Sequence, residues 1–277
     1  MALRSTTLRG LLAACHLGPT MVVTGVITAL AVSLGQDALG SLAVLLATLA
    51  GQLSIGWAND AHDAEVDRRG GRIEKPVVRG WVSERTVWTA AAVAALLCVP
   101  LSLVAGGPIG GTAHIVAVAS AWAYDVWLKT TLWSFLPFLL SFALVAPFLT
   151  YGLSPPRPPE PWAMAALALI GVGAHLANGI PDIDSDRSSD TQGVVGRLGR
   201  TASAYLSVAA LLVVTALVLA NLALPAGVSV AILVITAIAS AVAALASEGR
   251  HLFTLVMVLA VANTVLLTVN AGTVAGS

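Results

Sequence analysis

Long apolar runs alternate along the chain with short polar breaks. They fall at roughly 11–34, 38–58, 86–105, 109–128, 132–153, 162–180, 201–222, 226–247 and 251–272, each near the ~20 residues that cross a bilayer. The pattern predicts about nine transmembrane helices. The short alternating segments of a β-barrel are not visible. The expected fold class is an all-α polytopic membrane protein, forming one integral-membrane domain over residues 1–277. Arg4 and Arg9 precede the first run, as they would in a signal peptide. That run is too long for a signal core and has no clear small-residue cleavage site, so it reads as the first span.

Composition agrees. Only 10% of the residues are charged and 57% are hydrophobic, whereas a soluble domain carries about 25% charged residues. Cys15 and Cys98 both fall inside apolar runs and read as packed thiols. Zero net charge says little about partners, and no nucleic-acid partner is expected. The placement of the charges is more informative. Alternating spans put Arg4, Arg9, Arg68, Arg69, Arg72, Lys75, Arg79, Arg85, Lys129, Arg187, Arg197, Arg200 and Arg250 on one side, and Arg157 alone on the other. The crowded side is expected to be cytoplasmic, with a bacterial plasma membrane as the location. Of the acids, only Asp37 and Glu160 fall on the opposite side.

The polar breaks contain a repeat. "WANDAHDAEVDR" at 57–68 aligns with "LANGIPDIDSDR" at 176–187, so that Asn59 pairs with Asn178, Asp63 with Asp182, Asp67 with Asp186 and Arg68 with Arg187. Both copies sit at the cytoplasmic end of an apolar run, four spans apart. This gives a parallel repeat with halves of approximately 1–129 and 130–277, and a site where the halves meet.

Within each copy the aspartates are four apart. A helix continuing through them stacks Asn59, Asp63 and Asp67 on one face, and Asn178, Asp182 and Asp186 likewise. Like charges at that spacing repel and call for a cation. Carboxylate and amide oxygens suit Mg²⁺, which takes one or two carboxylates and completes its shell with water and phosphate. Two such rows fit a diphosphate. Arg72, Lys75, Arg79, Lys129 and Arg187 lie on the same face to bind phosphate oxygens. A departing diphosphate leaves a carbocation, and a polyprenyl chain would occupy an apolar cavity. Tyr124, and less firmly Trp57, are the aromatic residues expected to face that cation.

At this point the chain resembles the UbiA superfamily of intramembrane prenyltransferases. "NDAHDAEVD" and "DIDSD" are similar to its two signature motifs, "YDVWLK" to the tyrosine-lysine segment between them, and "KPVVRG" to an Arg-Pro-x-x-x-Gly run. The resemblance implies nine helices and Mg²⁺-diphosphate ligands at Asn59, Asp63, Asp67, Asp182 and Asp186, with Asp60 a less direct one. It implies diphosphate or cation contacts at Tyr124 and Lys129, and a site-closing role near Asp190. Aromatic-acid prenylating members carry an Arg-Pro at the start of the first helix. Here "AACHLGPT" replaces it, with His16 as a base, an acceptor contact or a packed histidine. His62 points off the Asp63–Asp67 face and is not read as a ligand.

The leading expectation is an alkyl (prenyl) transferase. It uses Mg²⁺ to ionise a polyprenyl diphosphate and passes the prenyl group to an aromatic or other lipophilic acceptor within the lipid bilayer. The alternative is a terpene cyclase of the same superfamily, which needs no acceptor. A remote reading is a divalent-cation transporter, since parallel repeats suit transporters too. Against it, the acids lie at cytoplasmic helix ends rather than at mid-membrane.

Overall fold

The computed structural model describes residues 2–184, 192–222, 224–245 and 250–276. All the regular elements are helical: α1 (Ala2–Ala14), α2 (Leu17–Ser33), α3 (Ala38–His62), α4 (Ala64–Arg69), α5 (Glu84–Ala123), a π-turn (Tyr124–Leu128), α6 (Leu136–Ala143), α7 (Val145–Thr150), α8 (Pro161–Gly179), α9 (Val194–Ala220), α10 (Ala226–Leu245), α11 (Arg250–Val269) and a closing 3₁₀ turn (Ala271–Thr273). Side chains mark the starts of the long helices. Asp37 accepts from Gly40 N at 2.7 Å ahead of α3, Ser83 accepts from Thr86 N at 3.1 Å ahead of α5, and Pro161 opens α8.

Among the described residues, Ala38–His62, Glu84–Leu128, Pro161–Gly179 and Val194–Ala220 are long and apolar enough to cross a membrane, and the bent pair Thr6–Ala14 and Leu17–Ser33 makes a fifth. Leu136–Thr150 and Ala226–Ile238 are shorter apolar helices. Length and hydropathy therefore support several spans, fewer than the nine expected.

Prolines explain where the expected runs break. Proline removes its own N–H, and its ring clashes with the carbonyl four residues back. Pro19 acts in this way on Cys15. The first run, expected as one helix, bends by 60° between α1 and α2. The freed Cys15 carbonyl accepts from Thr20 Oγ1 at 2.8 Å. Pro147 bears on Ala143, where α6 gives way to α7. Pro181 bears on Ala177, and α8 ends at Gly179 in a tight turn with Asp182 N on Gly179 O at 3.3 Å. The corresponding residue of the first copy is His62, so α3 runs on into α4 with only a one-residue interruption at Asp63. The expected i, i+4 helical row thus forms in the first copy; in the second a turn at 180–182 separates Asn178 from Asp182, and Asp186 lies outside the described residues.

The 45-residue segment Glu84–Leu128 is not straight. At Gly107 the backbone adopts φ 64°, ψ −170°, a combination open essentially to glycine. The chain then turns back, so that Ser102 Oγ lies 2.7 Å from His114 Nδ1. Twelve residues of continuous helix would separate these groups by about 18 Å. Gly106, Gly110 and Gly111 permit the reversal: a Cβ on Gly111 would lie 2.6 Å from Ser102 O, and one on Gly110 2.9 Å from Phe148 O. The two arms pack against α3 and α7.

One core forms between α8 and α9 and takes in Leu259 and Leu267 of α11, with Ile170, Leu211, Val214 and Val218 at its centre. A second joins α2, α3, the hairpin and α7 through Leu30, Val44, Ala105 and Phe148. Outward-facing positions are also apolar: Leu39, Leu96, Val104 and Val269 are each more than 70% exposed. Lipid contact accounts for an apolar exterior of this kind.

The hairpin yields a prediction. Replacing Gly107 by alanine forces a Cβ into a glycine-only conformation, at a cost of about 1–3 kcal/mol. The melting temperature in detergent is expected to fall. Gly25→Ala, inside α2 with open space around it, is the control and is expected not to lower it, since alanine is the better helix former.

Candidate active site

The first acidic motif occupies the polar end of α3 and continues through α4. Asp63 N bonds Asn59 O at 2.9 Å and Asp67 N bonds Asp63 O at 2.8 Å. This keeps Asn59, Asp63 and Asp67 one turn apart, as their spacing predicts. Asn59 Nδ2 reaches Asp63 Oδ2 at 3.4 Å. Each aspartate then meets a cation predicted to serve the site: Asp60 pairs with Lys75 at 3.1 Å, Asp67 with Arg72 at 3.2 Å, and Asp63 with Lys129. Asp60 and Asp67 are almost wholly buried. Glu65 instead faces outward to Arg68 and Arg69, and Arg68 also holds Glu84. Exposed pairs like these contribute little. His62 is exposed.

Lys129 arrives from the hairpin's returning arm, at the end of the π-turn, where its N–H bonds Tyr124 O five residues back at 2.9 Å. Such turns are frequent at functional sites. The same turn inserts Asp125, which sequence reasoning passed over in favour of its neighbours Tyr124 and Lys129. Asp125 is 4% exposed and accepts from Asn59 Nδ2 at 3.1 Å. Its signal was present: an acid inside an apolar run, one helical turn before a lysine.

Tyr124 stands in an aromatic group with Phe138 edge-on at 5.0 Å and His175 edge-on at 5.7 Å between ring centroids. His175, buried on α8 one turn before Asn178, bonds Ser134 Oγ at 3.1 Å, and the same Oγ accepts from Val194 N at 3.2 Å. Glycine is required at 193, because a Cβ there would collide with Lys129 O. The two halves of the chain therefore touch around Tyr124 and Lys129.

In the second motif, Asn178 is exposed in the last turn of α8 and Asp182 is exposed just beyond it, and Asp184 pairs with Arg200 at 3.4 Å. Asp186, Arg187 and Asp190 lie outside the described residues. Of the other candidates, Trp57 ties α1 to α3 through Nε1 on Leu11 O at 2.9 Å. Arg9 and Arg79 sandwich Trp81 at 4.6 and 4.8 Å, which takes Arg79 away from the acidic cluster. His16, left-handed at φ 52°, stands at the α1–α2 break. Gly56 lets this break approach α3, since a Cβ there would lie 2.5 Å from Cys15 O.

The donor set suits a hard divalent cation. Asp60 Oδ2, Asp67 Oδ2 and Asp125 Oδ2 are buried without a hydrogen-bond partner, and a buried carboxylate oxygen left in that state calls for a cation. Among the described residues no three His, Cys, Asp or Glu side chains converge on one point. An ion held there would draw on fewer protein ligands and on phosphate or water, as Mg²⁺ does.

Burial pushes the Asp67 carboxyl above its ordinary value, with Asp63 and Asp60 acting in the same direction and Lys75 and Arg72 opposing. A raised folded-state pKa contributes stability that is complete below the ordinary value, about 4, and is lost as pH rises through the raised one. Asp67→Asn removes this titration. In metal-free detergent solution the stability of wild type relative to Asp67→Asn is expected to decline as pH rises from about 4. A gap that widens in favour of wild type over that range contradicts the assignment.

The fold has solved counterparts. A digeranylgeranylglyceryl phosphate synthase superposes with a TM-score of 0.67 at 16% identity, covering 96% of this chain and 98% of its own. A UbiA homologue from Archaeoglobus fulgidus bound to DMAPP and Mg²⁺ gives 0.69 at 14%, covering 94% and 99%. The apo UbiA homologue from Aeropyrum pernix K1 gives 0.68 at 19%, covering 92% and 98%. No curated protein sequence matches the chain. The sequence model of the UbiA prenyltransferase family matches residues 18–254, and the chain belongs to that family.

Proposed function

We propose that the protein is an intramembrane, Mg²⁺-dependent prenyltransferase that ionises a prenyl diphosphate and transfers the prenyl group to a lipophilic acceptor. The observation that carries this reading is the meeting of Asn59, Asp63, Asp125 and Lys129 at the polar end of an apolar bundle, in a chain of this family. The A. fulgidus homologue bound to DMAPP and Mg²⁺ supports the same substrate and metal class. With the hairpin counted as two arms, and α1–α2 and α6–α7 as one broken span each, the chain crosses the membrane nine times as a single domain. The acidic end then faces the cytoplasm by the positive-inside rule, consistent with a bacterial plasma membrane.

In this reading Asn59, Asp63, Asp67 and Asp182, with Asp186, hold the metal, and Asp60 lies behind them. When bound, the metal neutralises the diphosphate and stabilises charge on it as it leaves. Lys75, Lys129 and Arg72, with Arg187, donate to diphosphate oxygens. The first three are paired with aspartates, so a bound diphosphate and metal would take the place of these partners on the cations and on the acids. Tyr124, in T-shaped contact with Phe138 and His175, stands by the reactive end of the prenyl chain in this reading and stabilises the allylic cation. Diphosphate leaves, and the acceptor nucleophile attacks the freed carbon and loses its proton.

One observation favours the acceptor-free alternative, a terpene cyclase. Arg9, the cation nearest in sequence to the α1–α2 break, is stacked on Trp81, and His16 stands at the break instead. A carboxylate-bearing acceptor is therefore disfavoured, leaving a neutral acceptor or none.

Purified protein given C10, C15 and C20 prenyl diphosphates is expected to release diphosphate only with Mg²⁺. Asp63→Asn should lower the rate by about 10²-fold or more. Metal-independent release, or an unaffected Asp63→Asn, rejects the proposal. A cyclic hydrocarbon formed without acceptor selects the cyclase, whereas prenylated acceptor selects the transferase. Metal flux in proteoliposomes without prenyl substrate would indicate a transporter.

A further inference from the structure

Asn59 is the one uncharged member of the first acidic row, and its usefulness depends on which end of its carboxamide faces outward. A carbonyl oxygen can bind a metal ion; an amide NH₂ cannot. The two ends are nearly the same size, so only hydrogen bonding selects between them.

The selection comes from two carboxylates. Asn59 Nδ2 carries two N–H groups, one directed to Asp63 Oδ2 at 3.4 Å and the other to Asp125 Oδ1 at 3.1 Å. A carboxylate oxygen accepts from an N–H, whereas the flipped amide would set its own oxygen against Asp63 Oδ2 and Asp125 Oδ1. With both N–H groups committed, Oδ1 is the remaining polar atom of the side chain.

The two holders are unequal. The Asp63 contact is long for a hydrogen bond, and the Asp125 contact falls within the normal range. Asp63 also holds Lys129 and serves as a ligand itself. Asp125 is buried to 4% exposure, and among the described residues nothing else bonds its Oδ1. It reaches α3 from a segment 66 residues away in sequence. The π-turn makes this possible by setting Asp125 and Lys129 side by side, so that Asp125 faces Asn59 while Lys129 faces Asp63.

We propose that Asp125 is the positioning residue that fixes the Asn59 carboxamide with its carbonyl oxygen toward the metal–diphosphate site. The inference rests on the prenyltransferase reading above. It adds a residue that acts through Asn59 rather than on the substrate. Partners that orient a ligand in this way typically change metal affinity by about 10–100-fold when removed.

The test is Mn²⁺ binding, followed by electron paramagnetic resonance, to the full-length protein in nanodiscs with an unreactive prenyl thiodiphosphate. Thermal melting checks that each variant is folded. Asp125→Ala is expected to weaken Mn²⁺ binding by about 10–100-fold. Asp125→Asn keeps an acceptor oxygen without the charge and should fall between Asp125→Ala and wild type. Asn59→Ala should lose a similar factor, and Asn59→Ala/Asp125→Ala no more than Asn59→Ala alone. Unchanged affinity in folded Asp125→Ala overturns the inference and leaves the prenyltransferase reading standing. A double variant whose losses multiply also overturns it, because Asp125 would then act independently of Asn59. Wild-type protein that binds no Mn²⁺ overturns the prenyltransferase reading and this inference with it.

Discussion

A charged group at the mouth of an apolar bundle persists only if another charge or a set of hydrogen bonds holds it. The structure meets this constraint with a two-by-two ladder. Asn59 and Asp63, one turn apart on α3, face Asp125 and Lys129, one turn apart on the returning arm of the hairpin. Each rung joins complementary partners, amide to carboxylate and carboxylate to ammonium. Lys75 and Arg72 cover the flanking acids Asp60 and Asp67. The acids and bases that would bind metal and diphosphate are thus held by each other, in an arrangement that substrate can enter by exchange.

The ladder depends on the hairpin, and the hairpin depends on its glycines. Gly107 supplies a backbone conformation that other residues reach only at a cost, and the small residues around it let the two arms, α3 and α7 close on one another. Ser102 and His114 pin the arms near the turn, and His114 stacks on Phe148 with 4.3 Å between centroids. At the far end the π-turn adjusts the register so that Asp125 and Lys129 both address α3. The aromatic group at Tyr124 then meets α8 through His175, which carries the first half of the chain to the second.

The two copies of the acidic motif illustrate how a repeat diverges. They share residue types at a common spacing, and in the first copy a nearly continuous helix turns that spacing into a row. In the second, Pro181 and Gly179 end the helix early, and Asp182 leaves in a tight turn.

The hydrophobic pattern alone determined an all-helical membrane chain, the approximate runs and the polar ends, because apolar length and charge asymmetry are local properties that a bilayer reads directly. The motif spacing picked out Asn59, Asp63 and Asp67, and with them the cations that meet them. The breaks at Cys15, Ala143 and Gly179 were also within reach of the sequence, since Pro19, Pro147 and Pro181 each act on a carbonyl four residues back. What only the tertiary structure decided is which charge meets which. Lys129 on Asp63, Asp125 on Asn59 and Arg79 on Trp81 depend on a backbone reversal at one glycine and a register shift of one residue. Neither leaves a periodic trace in the sequence, because both act by bringing together residues far apart along the chain.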